Sequence, residues 1–83
     1  SEFIIYPNPA KTSLFIEMEG SILESWKEIR IINQLGQLLK EIRTHTIENN
    51  IYELDISDLN NGIYFIEVSA SEFKKSTNRF IKS

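Results

Sequence analysis

The 83-residue chain contains no cysteine and a single histidine, His45. Without cysteine there can be no disulfide, no thiolate nucleophile and no thiolate metal ligand. One histidine would form a metal site only together with carboxylates gathered from several segments, and no nucleophile-elbow motif accompanies it. We therefore interpret His45 as a solvated strand residue, and we expect no catalytic residue, no metal and no cofactor.

Long apolar runs are also missing from the chain. No stretch approaches the roughly 20 apolar residues that a membrane-spanning helix needs, so we expect no membrane insertion. The sequence begins at Ser1 with neither an initiator methionine nor a signal peptide. We expect residues 1–83 to form one domain, excised from a longer protein.

The net charge of −3 is unevenly distributed. Residues 1–72 carry five basic and twelve acidic residues, a balance of −7, whereas residues 73–83 carry four basic residues and no acidic one. An acidic body argues against a nucleic-acid partner. The basic end is either a contact for another molecule or protection of an exposed edge strand against pairing.

Alternation of apolar and polar residues with period two is the main structural signal. The alternating runs are separated by turn sequences about every ten residues, a pattern typical of a sandwich of antiparallel strands. We predict an all-β fold of about seven short strands. Its inward-facing residues are predicted to be Leu14, Ile16, Met18, Ile29, Ile31, Tyr52, Leu54, Ile56, Tyr64, Ile66 and Val68.

Residues 29–43 also fit a helix, because Ile31, Leu35, Leu38 and Ile42 follow one another at intervals of four, three and four. Gly36 would then lie inside the helix, at a cost of about 1 kcal/mol relative to alanine. We favour a hairpin whose turn, "NQLG", places Gly36 in a left-handed conformation. Residues 21–27 are predicted to form a loop with Ile22 or Trp26 turned inward.

Two turn-rich segments carry possible sites. "DISDLNNG" resembles a calcium loop from Asp58, but Ser69 stands where the bidentate glutamate is expected. We interpret it as a turn whose Asp and Asn side chains bond the local backbone. "LNNGIY" fits a tyrosine corner, in which Leu59 plugs the loop, Gly62 makes the sharp turn and the Tyr64 hydroxyl bonds the backbone a few residues upstream.

The opening stretch "FIIYPNPAK" begins as a strand and then places two prolines one residue apart. Proline has no amide donor and has a fixed φ, so Pro7 and Pro9 cannot pair as central-strand residues. Each also favours extended geometry at the residue before it, Tyr6 or Asn8. We expect a short edge strand that ends at this point.

Taken in order, "YPNPA", "LFIEM", "IRIINQLGQLLKE", "YELDISDLNNGIYFIEV" and "RFIKS" resemble the type A C-terminal sorting domain of type IX secretion, also called Por secretion. The resemblance runs from Ile4 to Ser83. It implies an immunoglobulin-like β-sandwich that acts as an address at the C-terminus of a secreted protein. The implied partners are an outer-membrane translocon and a cell-surface sortase, and the implied route leads through the periplasm and outer membrane to the cell surface or the extracellular space.

The resemblance carries recognition roles over to the positions that match its motifs. These are Tyr6, Pro7, Asn8, Pro9, Gly36, Gln37, Leu59, Gly62, Tyr64 and Lys82. We expect the terminal strand to offer unpaired backbone groups to a receptor by strand addition, with Lys82 adding orientation and association rate. An accessory β-sandwich module that binds carbohydrate or acts as an adhesin stays open as an alternative, and an enzyme is not expected.

Overall fold

The computed structural model describes residues 3–18, 27–44, 50–71 and 74–83. The predictions for Ile22, Trp26 and His45 fall outside these residues. Within them, seven antiparallel strands and no α-helix are present, which confirms the all-β prediction. The strands are β1 (Phe3–Tyr6), β2 (Ser13–Met18), β3 (Lys27–Asn33), β4 (Leu38–Thr44), β5 (Ile51–Asp55), β6 (Gly62–Ser71) and β7 (Lys74–Lys82).

The strands form two sheets, one of three strands in the order β1-β2-β5 and one of four in the order β4-β3-β6-β7. This is the immunoglobulin-like arrangement that the resemblance implies, with one difference from constant-type domains. In those domains the fourth strand joins the sheet of the first, second and fifth strands, whereas here β4 pairs with β3 through a short hairpin.

Side chains from both sheets meet in a single core. Every residue predicted to face inward is buried except Tyr52, which is half-buried and packs against the core. Each fully buried aliphatic or aromatic side chain stabilises the fold by about 1.5–3 kcal/mol relative to exposure. Such contributions matter in a domain this small, which buries only about 60–65% of its unfolded surface.

The hairpin favoured for residues 29–43 is confirmed, because this segment forms β3, a tight turn and β4 rather than the alternative helix. The Asn33 amide donates to the Gln37 carbonyl at 3.0 Å, which closes the hairpin. Gly36 has a φ of 84°, the predicted left-handed conformation. A β-bulge shifts the register between Ile31 and Ile32 as the strands leave the turn.

The first strand ends at Tyr6, immediately before Pro7, and lies at the edge of the three-stranded sheet, as predicted. The Tyr6–Pro7 and Asn8–Pro9 peptide bonds are both cis. The chain then continues past Ala10 and enters β2 at Ser13. No helix among the described residues is long and apolar enough to span a membrane.

Candidate recognition site

The antiparallel register brings distant segments to one end of the sandwich, which we call the motif end. It is the end at which β1, β3, β5 and β7 finish and β2, β4 and β6 begin. Three pairings define it: Tyr6 lies opposite Phe15, Asn33 opposite Tyr64, and Gly62 opposite Lys82. All the residues to which the resemblance assigns recognition roles lie at this end, although they come from four separate segments of the chain.

The Asn8 side chain joins the first of these segments to the last. Its Oδ1 accepts the Ile81 amide at 2.9 Å, and its Nδ2 donates to the Arg79 carbonyl at 3.3 Å. One amide group thus bonds both a donor and an acceptor on the outer edge of β7. Asparagine suits this position because its side chain offers donor and acceptor in one plane, as a strand backbone does.

Ala10 continues the same contact with its own backbone. Its amide donates to the Ile81 carbonyl at 2.8 Å, and its carbonyl accepts the Ser83 amide at 2.9 Å, which makes a parallel bridge opposite Lys82. Ala10 is fully buried, so a larger side chain would be hard to place there. This bridge connects the three-stranded half of the domain to the terminal strand of the other sheet.

These contacts correct the expectation that the terminal residues offer unpaired backbone groups. β7 is paired with β6 over its whole length. On its other edge the groups at Arg79, Ile81 and Ser83 are already bonded to Asn8 and Ala10. Strand addition at this stretch would require Asn8 and Ala10 to leave first. The local sequence gives no sign of this coverage, because the partners lie 73 positions apart.

Lys82 faces the interior of the sandwich, next to buried Phe80 in the alternation of β7. Only 9% of Lys82 is exposed, so little of its side chain meets solvent. Among the described side chains of β7, the cations on the solvent side are Lys75 and Arg79. These two residues, rather than Lys82, present positive charge to an approaching molecule.

The predicted tyrosine corner is confirmed. The Tyr64 hydroxyl donates to the Asn60 carbonyl at 2.6 Å, and its ring stacks on Phe80 with centroids 5.6 Å apart. Leu59 is half-buried and packs against the core, as expected of the loop plug. Gly62 has a φ of 156° at the start of β6. The corner therefore holds the start of β6 against the end of β7.

The Asn33 side chain holds the β3–β4 turn together. Asn33 was predicted to lie in this turn, but it was not among the predicted recognition residues. Its Oδ1 accepts the amides of Leu35 and Gln37, both at 2.9 Å, and its Nδ2 donates to Gln37 Oε1 at 2.7 Å. The Gly36 amide donates to the Asn33 carbonyl at 3.0 Å. The signal was present in the sequence, since asparagine at the start of a turn commonly bonds the amide two residues on.

Carboxylates hold the loop between β5 and β6 in place. Asp58 pairs with Lys40 on β4 at 2.9 Å, and this hydrogen bond lowers the pKa of Asp58. Asp55 accepts from the hydroxyl and the amide of Ser57, and these bonds lower its pKa. No group of three or more His, Cys, Asp or Glu is placed to hold a metal ion in the part of the chain that the structure describes.

Tyr6 lies on the outer face of the three-stranded sheet. Its ring stacks on Phe15 with centroids 5.6 Å apart, and its hydroxyl donates to Glu17 at 3.2 Å. Partial loss of hydration and then the Glu17 carboxylate raise the pKa of Tyr6. Beside the ring pair is an open groove of about 420 Å³, lined by Pro7, Pro9, Lys11, Thr12, Ser13 and Phe15.

Comparison with known proteins identifies the family to which this sequence belongs. Residues 4–83 match the model of the secretion system C-terminal sorting domain. No curated protein matches the chain. The family match covers the same span as the motif resemblance. Since it includes nearly the whole sequence, the chain belongs to the family of type IX secretion C-terminal sorting domains.

Proposed function

We propose that this domain is a non-catalytic address that directs its parent protein through the type IX translocon across the outer membrane. The translocon recognises the folded domain, and a cell-surface sortase then acts on the delivered protein. The parent protein thereby reaches the cell surface or the extracellular space. Membership of the family supports the sorting role. The translocon, the sortase and the route belong to the proposal.

The observation that carries the proposal is the construction of the motif end. Two segments at opposite ends of the chain meet there through Asn8 and Ala10 on β7. The tyrosine corner and the Asn33 turn fix the two neighbouring loops. A receptor that bound this end would contact a surface that exists only in the folded domain, so it could discriminate the folded from the unfolded form of this domain.

Delivery of a reporter tests this proposal. The domain is fused to the C-terminus of a periplasmic reporter and expressed in a bacterium with a working type IX system and in an isogenic strain lacking the translocon. We expect surface or extracellular reporter only in the first strain, and periplasmic reporter in the second. Equal export from both strains, or none from either, would contradict the sorting function.

The groove beside Tyr6 and Phe15 favours a second candidate, an accessory module that binds carbohydrate. A pair of aromatic rings next to an open groove can stack against a sugar face, although these two rings also stack on each other. Calorimetric titration with oligosaccharides would detect this activity. Binding that Tyr6→Ala abolishes, together with an export-negative fusion, would favour the module over the address.

A further inference from the structure

The outer face of the four-stranded sheet is divided into two chemically different halves. Away from the motif end, charged side chains form a connected network: Arg30 pairs with Glu28, Glu41 and Glu67, and Arg43 pairs with Glu28. These side chains occupy two successive rows across the strands. The network supplies the polar covering expected of a solvated sheet face.

Toward the motif end the carboxylates stop, and the outward-facing residues of β3, β4 and β6 become apolar. The strand register places them side by side, since Ile32 lies opposite both Leu38 and Phe65, and Ile63 lies opposite Ile81. We call this surface the apolar band. It consists of Ile32, Leu38, Ile63, Phe65 and Ile81.

Exposure is high at both edges of the apolar band. Leu38 is 50% exposed on β4, and Ile81 is 39% exposed on β7. Leu35, at the tip of the adjoining turn, is 83% exposed and projects from a loop that the Asn33 side chain holds rigid. β-Propensity explains apolar residues within strands, but it does not explain a leucine held in solvent at a turn.

The charge at the border of the apolar band indicates the chemistry of its partner. Arg79 lies opposite Phe65 at the β7 edge and is exposed. It has no carboxylate partner among the described residues, whereas Glu67 in the adjacent row is already paired with Arg30. The excess charge beside the band is therefore positive. An apolar surface of this kind with one uncompensated arginine fits a partner that presents apolar side chains next to a carboxylate.

We propose that the apolar band, with Leu35 and Arg79 at its borders, is the docking surface for a protein of the export machinery that presents apolar residues flanked by an acidic group. This proposal rests on the proposed sorting function and specifies which face of the domain is used. The hydrogen bonds of Asn33 order the turn before binding, which reduces the loop entropy lost when Leu35 docks and is an advantage for an interface anchor.

Matched surface variants in the reporter fusion test the proposal. We expect Leu35→Gln combined with Leu38→Gln to reduce the rate of delivery about tenfold, the effect of losing about 1.4 kcal/mol of binding free energy. Ile4→Gln is the control, because Ile4 is 46% exposed on the other sheet and outside the band. Arg79→Glu should reduce delivery similarly, and Arg79→Lys, which keeps the charge, should reduce it much less.

Thermal unfolding of each variant domain separates docking from folding. The expected result is lost delivery with melting temperatures within a few degrees of the parent domain. Normal delivery of the double leucine variant, when the parent fusion is exported, would overturn the docking surface and leave the sorting function intact. If the parent fusion is itself not exported, the sorting function fails and the docking proposal fails with it.

Photo-crosslinking identifies the occupant of the surface. A benzophenone amino acid is placed at position 35, 38 or 81 of the fusion, and at position 4 as the control. We expect adducts with one export protein at positions 35, 38 and 81, and a carboxylate-bearing apolar segment at the crosslinked site. Adducts with a second copy of the fusion, or adducts equally strong at position 4, would overturn the proposal.

Discussion

The Asn8 side chain accepts the backbone amide of Ile81 at 2.9 Å, across 73 positions of sequence. Through this bond and its second one, to Arg79, the segment after the first strand is attached to the last strand. The two ends of the domain are therefore one structural unit. We therefore expect a substitution in either segment to weaken the packing of the other.

Replacement of Asn8 by alanine should lower the stability of the domain. The substitution removes both bonds to β7 and leaves the Ile81 amide without its partner, at an expected cost of about 1–2 kcal/mol. For a domain of this size, that corresponds to a fall in Tm of roughly 4–8 °C per kcal/mol. Asn61→Ala is the control, because Asn61 is exposed and makes no hydrogen bond to other described residues. Equal Tm values for the two variants would mean that the Asn8 bonds contribute nothing.

Deletion of residues 80–83 should largely unfold the domain. Phe80 is fully buried and stacks on Tyr64, and loss of a buried phenylalanine costs about 3–5 kcal/mol. That approaches the whole stability of a small domain, roughly 0.05–0.15 kcal/mol per residue. Circular dichroism of the shortened domain should show lost β-structure. Deletion of Ser83 alone removes one bond to Ala10 and should leave the fold intact.

This expectation changes how a terminal truncation would be interpreted. A failure of export after removal of residues 80–83 would follow from unfolding alone, and it would not show that the receptor contacts these residues. A shortened domain that kept its cooperative transition and still failed in export would contradict this view. It would point instead to direct recognition of the tail.

The sequence predicted what short-range patterns determine. Period-two alternation identified the buried residues of β2, β3 and β6, because a half-buried strand must alternate. Gly36 and Tyr64 were also predictable, since a left-handed turn and a tyrosine corner depend on residues within about four positions. The contact of Asn8 with β7 depends on tertiary pairing across 73 positions, for which neighbouring residues give no signal.

Replacement of Tyr64 by phenylalanine should destabilise the domain by about 1–2 kcal/mol. The change removes only the hydroxyl that donates to Asn60, while the ring remains stacked on Phe80. Tyr52→Phe provides a matched control, because the Tyr52 hydroxyl makes no hydrogen bond to the described residues. Urea unfolding of both variants measures the difference. An unchanged midpoint for Tyr64→Phe would show that the corner does not depend on the hydroxyl.

Substitutions of Gly36 should separate backbone strain from crowding. A Cβ at this position would have no atom within 4 Å, so any cost comes from the φ of 84°. We expect Gly36→Ala to lose about 1 kcal/mol. Gly36→Asn should lose less, since asparagine tolerates the left-handed region better than alanine does. If chemical denaturation showed the alanine variant to be more stable than the asparagine variant, this explanation of the turn would be wrong.

The Lys40–Asp58 pair should make stability depend on pH in the acidic range. The hydrogen bond with Lys40 lowers the pKa of folded Asp58 below its ordinary value of 3.8. A group with a lowered folded pKa contributes stability above its unfolded pKa, and that contribution is lost as the pH falls through the folded value. The Tm of the parent domain should therefore decrease as the pH is lowered below about 4. Asp58→Asn should flatten this part of the pH profile.

A double-mutant cycle assigns the effect to the pair. Lys40→Met should flatten the acid limb as Asp58→Asn does, and the double variant should show no further flattening, because the two residues share one interaction. The pair is exposed at Asp58, so the change is expected to be small and to shrink at high salt. If the flattening in the double variant equalled the sum of the two single variants, each residue would act through a different contact. Asp55, which accepts hydrogen bonds from Ser57, would then be the next carboxylate to test.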